Sequence, residues 1–243
     1  MSDEELRRRA TSFGGVADLY ERARPGYPRD AVTWLAGDAR RVVDLGAGTG
    51  KLTRELTALG YDVVAVEPSR GMVAELRAAV PGVTALEGSA ETIPLLDGSA
   101  DAVLAGQAYH WFDELVALPE IARVLRPAGT LGLVWNWFDE QEPWLQRLSE
   151  ITDSEVIPQF SLDPELAASG LYGEVEAATF RHEQRVDRIS LLELVSSRSK
   201  LATSTPDERE RILADVARLY DEIAAAGGLV IPWVSHCFRA HKL

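Results

Sequence analysis

Asp44, Gly46, Gly48 and Gly50 stand together in the stretch VVDLGAGTGKLT, and Glu67 follows in VVAVEPS. Glycines at alternating positions let a backbone come close to a nucleotide, and an acid roughly twenty residues further on is where a ribose is held. A dinucleotide such as NAD is one candidate. Its fingerprint is G-x-G-x-x-G, with the pyrophosphate resting on a helix N-terminus. This chain has G-x-G-x-G, and Lys51 fills the place of the third glycine. Asp44 is the stronger objection, because a carboxylate beside a diphosphate in a partly dry site sets like charges against each other.

A ligand with a cationic centre and no phosphate reverses that sign. S-adenosylmethionine carries an α-ammonium and a sulfonium, so Asp44 becomes favourable and Glu67 can accept the two ribose hydroxyls. The bland alternative for Glu67 is a solvated strand-end acid, against which stands the apolar run before it. A second constellation is GQAYHWFDE, from Gly106 to Glu114. His110 is a candidate general base for a hydroxyl, or could steer a carboxylate; it is equally a candidate structural histidine. Tyr109, Trp111 and Phe112 could wall an acceptor, with Phe112 favoured as core. Trp137 closes the run TLGLVWNW and is another candidate wall. Arg198, in SSRSK, would suit an anionic acceptor as well as it suits the surface. Asp113, Glu114, Asp139 and Glu140 are simpler as a helix start and a solvated loop than as a hard-ion site, and His182, His236 and His241 are too scattered for a ligand motif, so no metal is expected.

These groups need a scaffold, and the hydrophobic pattern supplies one. Short apolar runs at 41–46, 61–68, 83–88, 101–107 and 130–137 predict strands. Helical spacing predicts helices at 50–60, at 69–82 with Ser69 as N-cap and Pro81 as stop, and at 112–129. Alternation of this kind predicts a parallel sheet with helices on both faces, and ligands at the carboxyl ends of its strands. Beyond residue 138 the pattern loosens. An edge strand is expected at 175–187, helices at 190–200 and 207–228, and a closing strand at 229–240, where Pro232 implies irregularity or an edge.

The length of 243 residues suits one domain, with an N-terminal lid at 1–30, a cofactor-binding core at 38–140, a partly helical cap at 141–228 and the closing strand at 229–243. The net charge of −13 argues against nucleic acid and against anionic membranes as partners. One cysteine, no apolar leader and no long apolar run point to a cytoplasmic protein, monomeric or homodimeric.

The stretches VVDLGAGTGKLT, VVAVEPS, GSAETIPLLDGSADAVLAGQAYHWF and IARVLRPAGTLGLVWN resemble the class I S-adenosylmethionine-dependent methyltransferases. Within them the chain is similar to the small-molecule branch of the trans-aconitate methyltransferases and the ubiquinone/menaquinone C-methyltransferases. The resemblance implies a doubly wound, seven-stranded sheet with its last strand antiparallel, S-adenosylmethionine as cofactor, and a small-molecule acceptor; oxygen is the acceptor atom expected first, with carbon and nitrogen as alternatives. By the same resemblance, Asp44, Gly46, Ala47, Gly48 and Gly50 form the glycine motif, Glu67 is the ribose acid, and Pro68, Ser69 and Met72 lie near the adenine. Ser89, Ala90 and Glu91 match the adenine-edge segment, with Ser89 where relatives often have Asp. Gln107 lies close to the transferred methyl. FGGVADLYERARPGYP resembles the lid that brings Tyr20 and Arg24 to the carboxylate end of the cofactor. The adenine- and cytosine-modifying motifs NPPY and DPPY are replaced here by GQAY.

Overall fold

The computed structural model describes residues 23–139, 141–152, 166, 168–197, 201, 204–224 and 228–243. The predicted alternation appears as α1 (Arg29–Ala36), β1 (Arg41–Leu45), α2 (Lys51–Ala58), β2 (Asp62–Glu67), α3 (Arg70–Ala79), β3 (Thr84–Glu87), β4 (Ala100–Gly106), α4 (Glu114–Val124) and β5 (Leu125–Phe138). The second half adds α5 (Pro143–Thr152), β6 (Glu176–Val186), α6 (Arg188–Ser196), α7 (Pro206–Ile223) and β7 (Leu229–His241). All seven strands join one sheet in the order β3-β2-β1-β4-β5-β7-β6. The first five pair in parallel, and β7 runs antiparallel to both of its neighbours.

β1, β2 and β4 are buried on both faces, as their unbroken Val, Ala and Leu content requires. One apolar cluster, including Val43, Val103, Ile121 and Leu133, fills the space under α4; a second, including Val32, Leu35, Val42 and Leu56, lies under α1 and α2. A third gathers Leu145, Leu194, Leu219 and Trp233 from α5, α6, α7 and β7.

Two expectations need correction. The helix predicted over 112–129 begins only at Glu114, after a 3-10 turn at Tyr109–Trp111, and yields to strand at Leu125. The turn signal RPAG is a bulge inside β5: Ala100 pairs with Leu125 and Ala102 with Thr130, and Ala128 takes φ 59° to close it. Pro232 does not put β7 at an edge, since β7 is an interior strand. Its carbonyl accepts from Asp139 N–H, just past the end of β5. Proline has no N–H to return that bond, and the β5–β7 ladder ends here, its last pair being Phe138 with Trp233.

Candidate active site

The strand order reverses between β1 and β4, and a cavity of about 970 Å³ opens there over the carboxyl ends of β1, β2 and β4. The loop after β1 shapes its floor. Gly46 and Ala47 N–H both donate to Val66 O, at 2.8 and 3.2 Å, which pins the loop against β2. Gly46 has φ 69°, and a Cβ there would fall 2.7 Å from that of Ala108. Gly50 has φ 92° and abuts Leu76 at 2.9 Å by the same measure, so this glycine serves the packing of α2 on α3 and does not line the cavity.

Asp44 and Glu67 end β1 and β2 on the cavity wall, 1% and 6% exposed. Asp44 Oδ2 accepts from Thr53 Oγ1 at 2.5 Å. Burial pushes its carboxyl up to about 7, the Thr53 hydrogen bonds pull the other way, and the nearby charge of Glu67 raises it further. Glu67 Oε2 accepts from Gly48 N–H at 3.0 Å, and Oε1 from Ser69 N–H at 2.9 Å. Burial raises this carboxyl too, against those two donors. Neither acid has an ion-pair partner among the described residues. Two buried carboxylates held close together without a cation make a site that attracts one.

Of the residues expected from sequence, Asp44, Gly46, Ala47, Gly48, Glu67, Pro68, Ser69, Met72, Ser89, Ala90, Glu91, Gln107 and Trp111 line this one cavity. Ser69 also caps α3, accepting from Met72 N–H at 3.5 Å. Glu91 Oε1 accepts from Asp113 N–H at 2.9 Å, which places the start of α4 beside the segment after β3. Gln107 sits at φ 55°, an unusual conformation for a residue with a side chain. Its own N–H donates to Val134 O at 2.9 Å, and its side-chain Nε2 donates to Asn136 O at 3.0 Å.

Other expected residues lie elsewhere. Tyr109 is core: it is 1% exposed, and its ring meets those of Phe112 and Trp135 edge-on at 5.7 and 6.3 Å. Phe112, expected in the core, packs against it and reaches the cavity too. His110 is off the cavity wall. Its Nδ1 accepts a long hydrogen bond, 3.4 Å, from Trp135 Nε1, and its ring leans on Trp111 at 4.7 Å. That bond needs a bare Nδ1, so it disfavours the protonated imidazole, although the residue itself is exposed. Trp137 packs on the central core cluster instead of the cavity. Arg24 Nε and Nη2 donate to Ser197 Oγ and O, at 3.0 and 3.3 Å, at the C-terminus of α6. Tyr20 and Arg198 lie outside the described residues.

Sequence reasoning missed Tyr27 and Thr53. Tyr27 lines the cavity, and its hydroxyl presses on the backbone at the end of β4, where a Cβ at Gly106 would come within 2.5 Å of it. Its signal was the aromatic position in RPGYP. Thr53 is fully buried two positions into α2, and only the fold shows that it faces Asp44.

The methyltransferase domain family matches residues 43–133, the span that builds the floor and walls of this cavity. An uncharacterized methyltransferase of Mycobacterium tuberculosis is 46% identical over 235 residues, covering 94% of this chain and 95% of its own. Another from Schizosaccharomyces pombe is 33% identical over 220 residues, covering 87% of each chain. A solved structure from Anaeromyxobacter dehalogenans, described as a type II methyltransferase, superposes with a TM-score of 0.68 at 26% identity, over 90% of this chain and 97% of that one.

Proposed function

The chain belongs to the methyltransferase family, and from that premise we propose that it transfers the methyl group of S-adenosylmethionine to an oxygen of a small molecule, a hydroxyl or a carboxylate. The residues fit the cofactor. Glu67 has committed one lone pair of each oxygen to a backbone N–H, and the remaining pairs suit two ribose hydroxyls. Asp44 gives the cationic end of the ligand a negative neighbour. Met72, Ser89 and Ala90 suit the adenine, as the family resemblance implies.

S-adenosylmethionine brings a methyl on a sulfonium leaving group, so the reaction asks for alignment and dryness more than for a covalent enzyme group. Gln107 lines the cavity and is fixed there by its bond to Asn136 O. Tyr27 lines the cavity beside it, against the backbone of Gly106. Trp111 and Phe112 exclude water along one wall. His110 contributes no base to this scheme, because its one bare nitrogen already accepts from Trp135. The acidic balance of the chain favours a small-molecule acceptor over nucleic acid.

The observation that carries the reading is the pair of buried acids, Asp44 and Glu67, with no ion-pair partner among the described residues. Calorimetric titration with S-adenosylmethionine, S-adenosylhomocysteine and NAD tests it. Binding of the first two and not of NAD is expected; binding of NAD alone sinks the reading. Transfer of labelled methyl to a panel of phenols, alcohols and small acids then identifies the acceptor atom.

A further inference from the structure

The segment from Ala23 to Pro28 crosses the carboxyl ends of the strands as a strap, and side chains from three elements hold it. Gln184 of β6 donates to Ala23 O at 3.0 Å and accepts from Trp233 of β7 at 3.1 Å. Arg24 is tied to Ser197 at the end of α6. Asn136 of β5 donates through Nδ2 to Gly26 O at 2.9 Å. Gly26 directly precedes Tyr27, which lines the cavity.

Asn136 has a second attachment. Its backbone carbonyl accepts from the Gln107 side chain, and its own Oδ1 accepts from Ser235 Oγ at 2.6 Å, which sets the plane of its amide. Asn136 is 6% exposed, Ser235 is fully buried, and neither lines the cavity. One buried residue therefore joins Tyr27 to Gln107, two groups that line the cavity beside the carboxyl end of β4. The acids that grip a ligand, Asp44 and Glu67, stand apart on β1 and β2.

We propose that Asn136, oriented by Ser235, is a positioning residue that sets the spacing of Tyr27 and Gln107 around the methyl-bearing end of the donor without touching it. The inference rests on the cavity being the donor site. It separates affinity from geometry: the grip belongs to β1 and β2, and the alignment belongs to the strap and β5.

The test uses the full chain, Asn136→Ala, Ser235→Ala and S-adenosylmethionine labelled with carbon-13 at its methyl. Donor affinity of Asn136→Ala stays within about threefold of wild type, as expected for sites without shared partners. The bound methyl resonance moves from its wild-type position toward that of free donor, and Ser235→Ala moves it part of the way. In the ligand-free protein, amide exchange of Arg24, Gly26 and Tyr27 quickens about tenfold in Asn136→Ala, as the tether to Gly26 is lost. A methyl resonance at its wild-type position in both variants overturns the proposal. So does donor affinity that falls only in step with global stability. Should Asn136→Ala not fold, Ser235→Ala decides alone, and an unmoved resonance there refutes the idea. Failure of the wild type to bind S-adenosylmethionine at all would instead remove the functional reading beneath it.

Discussion

The Asp44 carboxyl makes a quantitative prediction. Its pKa in the ligand-free fold is raised from 3.8 to about 7, chiefly by burial. Between those values the folded chain keeps a proton that the unfolded chain has released. Raising the pH strips that proton from the fold, so stability is present at the acid end of the window and lost as pH climbs to about 7. The shift corresponds to about 4 kcal/mol at most. Glu67, also raised by burial, adds to the same slope, so the substitution Asp44→Asn is needed to isolate it. His110, His182 and His236 are all shifted downward by desolvation and give a slope of the opposite sign in the same acid range, which the comparison of wild type with Asp44→Asn cancels. At pH 8 ligand-free Asp44→Asn should melt about 5 °C above wild type, if the neutral amide recovers about half of that cost. Donor binding should run the other way. A cationic donor needs the ionised carboxylate, so affinity should rise about tenfold from pH 6 to pH 8 as that form grows from about a tenth of the population to nearly all of it. Asp44→Asn should flatten the profile and bind weakly throughout. Scanning calorimetry and titration calorimetry read the two effects. A wild-type affinity that is level between pH 6 and 8, or an Asp44→Asn protein less stable than wild type at pH 8, would refute the reasoning.

Three further outcomes follow from single contacts. Thr53→Val removes a hydroxyl that favours ionised Asp44, and should weaken donor binding about tenfold at pH 7 but much less at pH 9, in paired titrations. Glu67→Gln should cost donor affinity about 10- to 100-fold, from the loss of charge-assisted bonds to the ribose, with thermal stability held or raised at neutral pH. Gly50→Ala meets both a φ of 92° and Leu76, and should lower stability by about 1–3 kcal/mol in denaturant titration. The donor affinity of the folded Gly50→Ala protein should remain near wild type, because Gly50 lies off the cavity wall.

The sequence displayed the floor of the site well, for a physical reason. Asp44, Gly46, Gly48 and Glu67 sit at strand ends and in one tight turn, so their placement follows from local chain geometry and the twist of a parallel sheet. Gly50 shared that spacing, yet its conformation answers to Leu76, a neighbour 26 positions away that spacing cannot reveal. Tyr109 and His110 adjoin Trp111 and Phe112 in sequence, but a 3-10 turn sends the first pair away from the cavity and the second pair toward it. The expected helix start at residue 112 did not contain that turn. Arg24 and Tyr27 depend on contacts with Ser197 and Gly106, and Gly26 between them on Asn136, all set by the tertiary fold. Thr53 could be recognised only once α2 was known to lean on β1.

The insertion of β7 between β5 and β6 bears on how the chain reaches this state. Among the described residues β6 hydrogen-bonds to no strand except β7, which begins more than forty residues after β6 ends. Until β7 arrives, β6 is a bare ribbon of unpaired amides, the kind of surface that recruits other unfolded chains. Arg181, Glu183 and Arg185 alternate along its exposed face and supply the charges that discourage such pairing. The outer margin of the sheet is thus the slow, late step of assembly, and swapping those three side chains for apolar ones should turn a waiting strand into a seed for aggregation.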